Sequence, residues 1–139
     1  MTDHTINHQD GAAFANAIND ITDVIHSANV DAGWWIDIPQ DLDLKSPHML
    51  KYVVPVKLAL VHSEVSEALE GFRKNLKDDH LPNRLMIEVE LADAIIRILD
   101  LAGALNLDVG GALVEKFNYN QHRPDHKPEN RNAPGGKSV

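Results

Sequence analysis

The sequence predicts an all-α fold built from four helices, two of them long. Three observations carry that expectation. Apolar residues recur at alternating steps of three and four over residues 11–29, 56–74 and 85–105, the spacing of one helix face. No stretch alternates apolar and polar residues over a useful strand length. The segments between the periodic stretches are rich in Pro, Gly, Asn and Asp, which punctuate helices. With 139 residues the chain is long enough for one domain with a genuine core. That domain is expected over residues 1–124, followed by a flexible tail over 125–139.

The first helix is expected from about 11 to 29. Phe14, Ile18, Ile21, Ile25 and Ala28 line one face, and Asp10 is the expected cap. Residues 30–47, VDAGWWIDIPQDLDLKSP, break the periodicity with Gly33, Pro39 and Pro47. Trp34 and Trp35 are neighbours there, and on an extended segment neighbours point to opposite sides. Either both anchor the loop, or one faces inward while the other lines a cleft and stacks on a flat ring such as a nucleobase. The second helix starts at Ser46–Pro47 or, if Pro55 breaks an earlier segment, near Pro55. Its apolar face is Leu58, Val61, Val65, Ala68, Leu69 and Phe72. Asn83 is the expected cap of the third helix, residues 85–105. Asp108 is the expected cap of the fourth, where Gly110 and Gly111 leave room for another backbone. On that helix Lys116, Asn120 and Arg123 fall within about 60° of one another. Pro124 ends it. The remainder, DHKPENRNAPGGKSV, reads as a polar tail whose Gly135-Gly136-Lys137 could close over an anion.

Composition excludes several classes. The net charge of -8 disfavours non-specific binding to nucleic acid or to an anionic membrane surface. It leaves a nucleotide ligand open, because metal ions reverse the local sign. There is no cysteine, hence no disulfide and no thiolate metal site. No apolar run reaches the length of a membrane span. The N-terminal MTDHTINHQDG lacks a basic region followed by an apolar one, so no secretory signal is expected. The expected location is the cytoplasm, of a cell or of a host cell.

The chemistry concentrates on the third helix. Its apolar side chains cover most of the circumference, which predicts burial. Yet Glu90, Asp93, Arg97 and Asp100 share one stripe about 80° wide. Buried carboxylates must be paired or bind a metal. Glu64 and Glu67 repeat the three-residue spacing on the preceding helix, which places both on one face. The 22 residues between Glu67 and Glu90 include a turn, so the two helices can pair antiparallel and bring the four acids across one groove. Crowded carboxylates repel and take up protons unless a cation intervenes. Oxygen-only ligands select Mg²⁺, or Mn²⁺, over softer ions.

The plainer alternative is structural. Acids three apart are common on solvated faces, and Arg97 could pair internally with Asp93 or Asp100. Other designs are absent. No Glu-x-x-His occurs, so a di-iron bundle is excluded, and neither H-E-x-x-H nor a phosphate-binding G-x-x-x-x-G-K-[ST] is present. The eight histidines show no ligand spacing, and only His62 lies close in sequence to the acids.

E64-x-x-E67 followed by E90-x-x-D93 resembles the E-x-x-E…E-x-x-D signature of the all-α, MazG-like nucleoside triphosphate pyrophosphohydrolases. LVHSEVSEALEGFRK, VELADAIIRILDLA, EKFNYNQHRP, the GWW loop and the closing GGK resemble small phage and bacterial members. The likeness spans about residues 30–137. The resemblance implies a MazG-like bundle completed by homo-oligomerisation, as a homodimer or a dimer of dimers. It implies hydrolysis of an NTP or dNTP between the α and β phosphates, giving a monophosphate and pyrophosphate. Glu64, Glu67, Glu90 and Asp93 would form the catalytic Mg²⁺ site. Lys116 and Asn120 would contact phosphate, with Arg123 beside them, and Trp34 or Trp35 would enclose the base. Two rival functions remain: a non-catalytic helical interaction protein with its acids in salt bridges, and a member that binds a nucleotide without cleaving it.

Overall fold

A computed structural model describes residues 4–134. Among them are α1 (His8–Asp31), a ribbon of two short antiparallel strands β1 (Ile36–Asp37) and β2 (Leu42–Asp43), α2 (Pro47–Lys74), α3 (Met86–Ala104), α4 (Val109–His122) and a single turn α5 (Pro128–Arg131). The chain is mostly helical, as periodicity predicts. No described helix is long and apolar enough to cross a membrane.

Helix ends show where local chemistry departs from expectation. Asn7, not Asp10, caps α1: its Oδ1 accepts the Asp10 N–H, and its amide donates back to the Asp10 carboxylate. Asn83 does not cap α3. The Met86 N–H is held by the Leu76 carbonyl, which keeps the chain extended through Leu85 (φ -72°, ψ 140°) and delays the helix by two residues. Glu88 Oε2 then accepts the Leu85 N–H. Asp108 does cap α4, accepting from the Gly111 N–H. Of the two starts open to α2, the earlier is used. Pro55 lies inside the helix, where its ring leaves one carbonyl of the preceding turn without its usual donor.

The ribbon leaves no mark in the sequence pattern, because strands of two residues are too short to show alternation. Its register pairs Ile36 with Asp43 and Asp37 with Leu42. Pro39 and the left-handed Asp41 (φ 49°) turn the chain between them. Within the expected tail, residues 124–126 form a 3-10 turn and α5 follows, each opening on a proline. Gly135, Gly136 and Lys137 lie outside the described residues.

The chain divides into two compact units, one from Ile21 to Leu107, the other holding the described residues up to Asp20 and from Asp108 on. In the second of these, an amide bracket ties Asn118 to both the N–H and the C=O of Ile6. Gly110 meets α1 there: a Cβ on it would lie 2.2 Å from the Ala15 carbonyl oxygen. That is the close backbone approach expected of it.

In the unit from Ile21 to Leu107, α2 and α3 run antiparallel. Gly71 lies against Met86, where a Cβ would come within 2.8 Å of Met86 Cγ. Further along the pair Glu64 meets Arg97, and Lys57 meets Asp100. The core is made of Trp35, Ala68, Ala94, Leu99, Leu101 and Ala102, with Glu64, Glu90 and Asp100 buried among them.

Two expectations about burial fail here. The face of α2 that meets α3 is Glu64, Ala68 and Gly71, small or acidic residues at helical spacing. Of the stripe expected as its core face, Ala68 is buried as expected, but Leu58, Val65, Leu69 and Phe72 point outward, with Phe72 68% exposed. α3 is likewise not buried all round: Leu91, Ile95 and Ile98 are exposed. The physical reason is that one neighbouring helix covers one face, and the small residues are what let the axes approach.

Candidate metal centre

α2 and α3 position the acids because spacings of three and four keep Glu64, Glu90 and Asp93 on facing stripes. One carboxylate oxygen from each lies within 4.8 Å of the other two. Glu64 and Glu90 are buried, while Asp93 is more open. Glu67 is exposed and stands outside this group, although its charge is felt within it.

The electrostatics follow from crowding. Burial, a hydrogen bond with Glu64 and repulsion from Glu67, Glu64 and Asp93 push the Glu90 carboxyl up to about 7. Burial and the charge of Glu64 push Asp93 up, against the pull of Arg97. Asp78, from the loop between the helices, adds to the rise. Sequence reasoning passed over Asp78, since a loop acid carries no periodic signal. Arg97 Nε donates to Glu64 Oε1 at 2.5 Å. The internal pairing expected for Arg97 was with Asp93 or Asp100 on its own helix. The antiparallel arrangement places Glu64 within reach across the helix pair, and that contact is the one made.

Asp100 has other partners. Its Oδ1 accepts from Trp35 Nε1 at 2.8 Å and from His26 Nδ1 at 2.9 Å. Its Oδ2 accepts from Lys57 Nζ at 3.4 Å. Burial pushes this carboxyl up, but the bonds from His26 and Trp35, the Lys57 charge and Asn29 outweigh it and hold it below the usual range. Lys57 also stands 4.2 Å over the Trp35 ring, and His26 meets that ring edge-on. His26 carries no ligand spacing in the sequence, so no spacing rule finds it. Lys57 had a signal: it lies two turns before Glu64 on one face of α2.

A cavity of about 410 Å³ connects these groups. Asp93 and Arg97 line it towards the acidic centre; Lys57, Asp100, Asn29 and Trp34 line it further along. Asp93 and Asp100 are two turns apart, about 10 Å along α3, a nucleoside's length. Trp35 is 3% exposed and Trp34 66% exposed. One ring therefore faces inward and the other lies on the cleft.

Lys116, Asn120 and Arg123 belong to the other unit. Lys116 Nζ and the Arg123 guanidinium both lie over Tyr119, at 4.7 and 5.8 Å from its ring centre. Arg123 forks onto Asp125, and those hydrogen bonds raise its pKa. Asn120 Oδ1 is buried without a hydrogen-bond partner, an orphan of the kind a ligand satisfies.

The acidic centre fits a hard divalent cation. Its donors are all carboxylate oxygens, as Mg²⁺ and Mn²⁺ require. Neighbouring ligands of an octahedral Mg²⁺ stand about 3 Å apart, so the three oxygens need to close by about 2 Å at most, within side-chain reach. Two of them are buried and mutually repelling, which a dication relieves. Comparison with known protein families, curated proteins and solved structures finds no match.

Proposed function

We propose that this chain is a Mg²⁺-dependent nucleoside triphosphate pyrophosphohydrolase of the MazG-like kind. It would cleave an NTP or dNTP between the α and β phosphates to a monophosphate and pyrophosphate. The observation that carries the reading is the gathering of Glu64, Glu90 and Asp93 across two antiparallel helices. These are three of the four acids in E64-x-x-E67…E90-x-x-D93, and Glu67 is one turn away on α2.

When bound, Mg²⁺ or Mn²⁺ would neutralise phosphate oxygens and acidify a water. The chain's own residues do the rest. Glu64, Glu90 and Asp93 would hold the ion, with Glu67 available from the open side. In hydrolysis a water oxygen bonds to phosphorus, the bridging P–O bond breaks towards pyrophosphate, and a carboxylate of the cluster accepts the water proton. Trp34 stacks on the base at the cleft. The exposed aliphatic stripes of α2 and α3 support assembly as a homodimer or a dimer of dimers, because so large an apolar surface favours burial against a like copy. A nucleotide substrate fits a cytoplasmic location.

The test is incubation with a panel of NTPs and dNTPs plus Mg²⁺. Pyrophosphate is the expected product. Orthophosphate, or no turnover by any of them, overturns the assignment. The Arg97–Glu64 pair favours a second reading, a non-catalytic helical interaction or nucleotide-binding protein whose acids serve salt bridges. It predicts a melting temperature that ignores Mg²⁺ and Mn²⁺.

A further inference from the structure

We infer that Arg97 is an exchangeable cation: it stands on Glu64 while the acidic centre holds no divalent ion, and it passes to the triphosphate when an ion binds. The inference rests on the pyrophosphohydrolase reading for the identity of both ligands.

Three observations lead there. Arg97 Nε donates to Glu64 Oε1, so the guanidinium occupies a carboxylate that the ion needs. The two partners are unequal: the Glu64 side chain is 7% exposed and that of Arg97 41%. Glu64 is therefore the fixed member, and Arg97, on a flexible stem, the one able to leave. Arg97 also lines the cavity that Trp34 borders, so a displaced guanidinium stays inside the cleft. An arriving dication repels it from Glu64. Its planar fork of donors matches phosphate oxygens. Lys57, which lines the same cavity, is less free: it is bonded to Asp100 and stacked on Trp35.

Exchange makes a prediction that a purely structural ion pair does not. Removing Arg97 takes away a competitor for Glu64, so the ion should bind more tightly while the triphosphate binds more weakly. The full-length protein, freed of metal and held at pH 8, is titrated with Mn²⁺ without nucleotide, and free Mn²⁺ is read by electron paramagnetic resonance. Arg97→Gln should lower the Mn²⁺ Kd about tenfold or more relative to wild type. At saturating Mn²⁺ it should weaken binding of an α,β-methylene nucleoside triphosphate by about tenfold. Arg97→Lys keeps a cation beside Glu64 and preserves folding if the glutamine variant is unstable. It should fall between the two, because the compact ammonium lacks the fork.

Wild-type Mn²⁺ affinity in both variants overturns the exchange, as does weaker Mn²⁺ binding in Arg97→Gln. If Asp93→Asn abolishes Mn²⁺ binding while the Arg97 variants leave it unchanged, only this inference fails. If neither wild type nor variant binds Mn²⁺, the pyrophosphohydrolase reading fails with it.

Discussion

Replacing Glu90 with glutamine should flatten the pH dependence of stability of the metal-free protein. Folded Glu90 titrates at about 7, against an ordinary value of 4.5. The folded state therefore binds this proton more tightly than the unfolded state. The resulting stabilisation is complete below pH 4.5 and is lost as pH rises through 7. The shift corresponds to about 3 kcal/mol. Asp93, also raised, works in the same direction. Asp100, held below its ordinary 3.8, works the other way: its contribution is present above that value and is lost as pH falls past it, outside the window. Glu90→Gln keeps the shape and offers Glu64 an amide donor, but it carries no titrating proton. In EDTA, urea unfolding followed by circular dichroism at pH 4.5, 5.5, 6.5 and 8 should show wild type losing stability across the series. The variant should lose less, keeping only the slope that Asp93 contributes, and be more stable at pH 8 by up to about 3 kcal/mol. Mg²⁺ at pH 8 should reverse that order. Curves that stay parallel from pH 4.5 to 8 would refute the crowding argument.

Trp34→Ala should raise KM for the preferred nucleotide about tenfold to a hundredfold, the worth of one base–aromatic stack, and leave kcat nearly unchanged; steady-state kinetics check it. Gly110→Ala should destabilise the unit that α4 belongs to by more than about 2 kcal/mol, because the new methyl would meet a backbone carbonyl at 2.2 Å. Backbone cannot swing aside as Met86 could for Gly71→Ala, and thermal unfolding of the two variants gives the contrast.

Much of this was legible in the residues, for identifiable reasons. The stripe of Glu90, Asp93, Arg97 and Asp100 was visible because a helix has a fixed angular step. All four do face α2 or the cavity beside it. The Asp108 cap and the close approach at Gly110 were legible because each depends on one residue's local chemistry. What failed was partner choice. Periodicity says which residues share a face but not what covers it. Thus, of the stripe expected to face the core, Ala68 does so together with Gly71, while Val65, Leu69 and Phe72 lie exposed. The link from Arg97 to Glu64 depends on helix register, and that of His26 to Asp100 on a helix 74 positions away in sequence. Neither is encoded in spacing along one segment.

The two tryptophans are the only ones in the chain, and they stand on either side of one wall. Trp35, shut in with Lys57 and His26 against its ring, should emit in the blue and be shielded from iodide. Trp34, open to water, should emit further to the red and be quenched by iodide. The ultraviolet glow of this protein should therefore split into a constant part and a part that dims if a flat ring settles in the cleft. Occupancy is read on the unlabelled chain, with no dye attached.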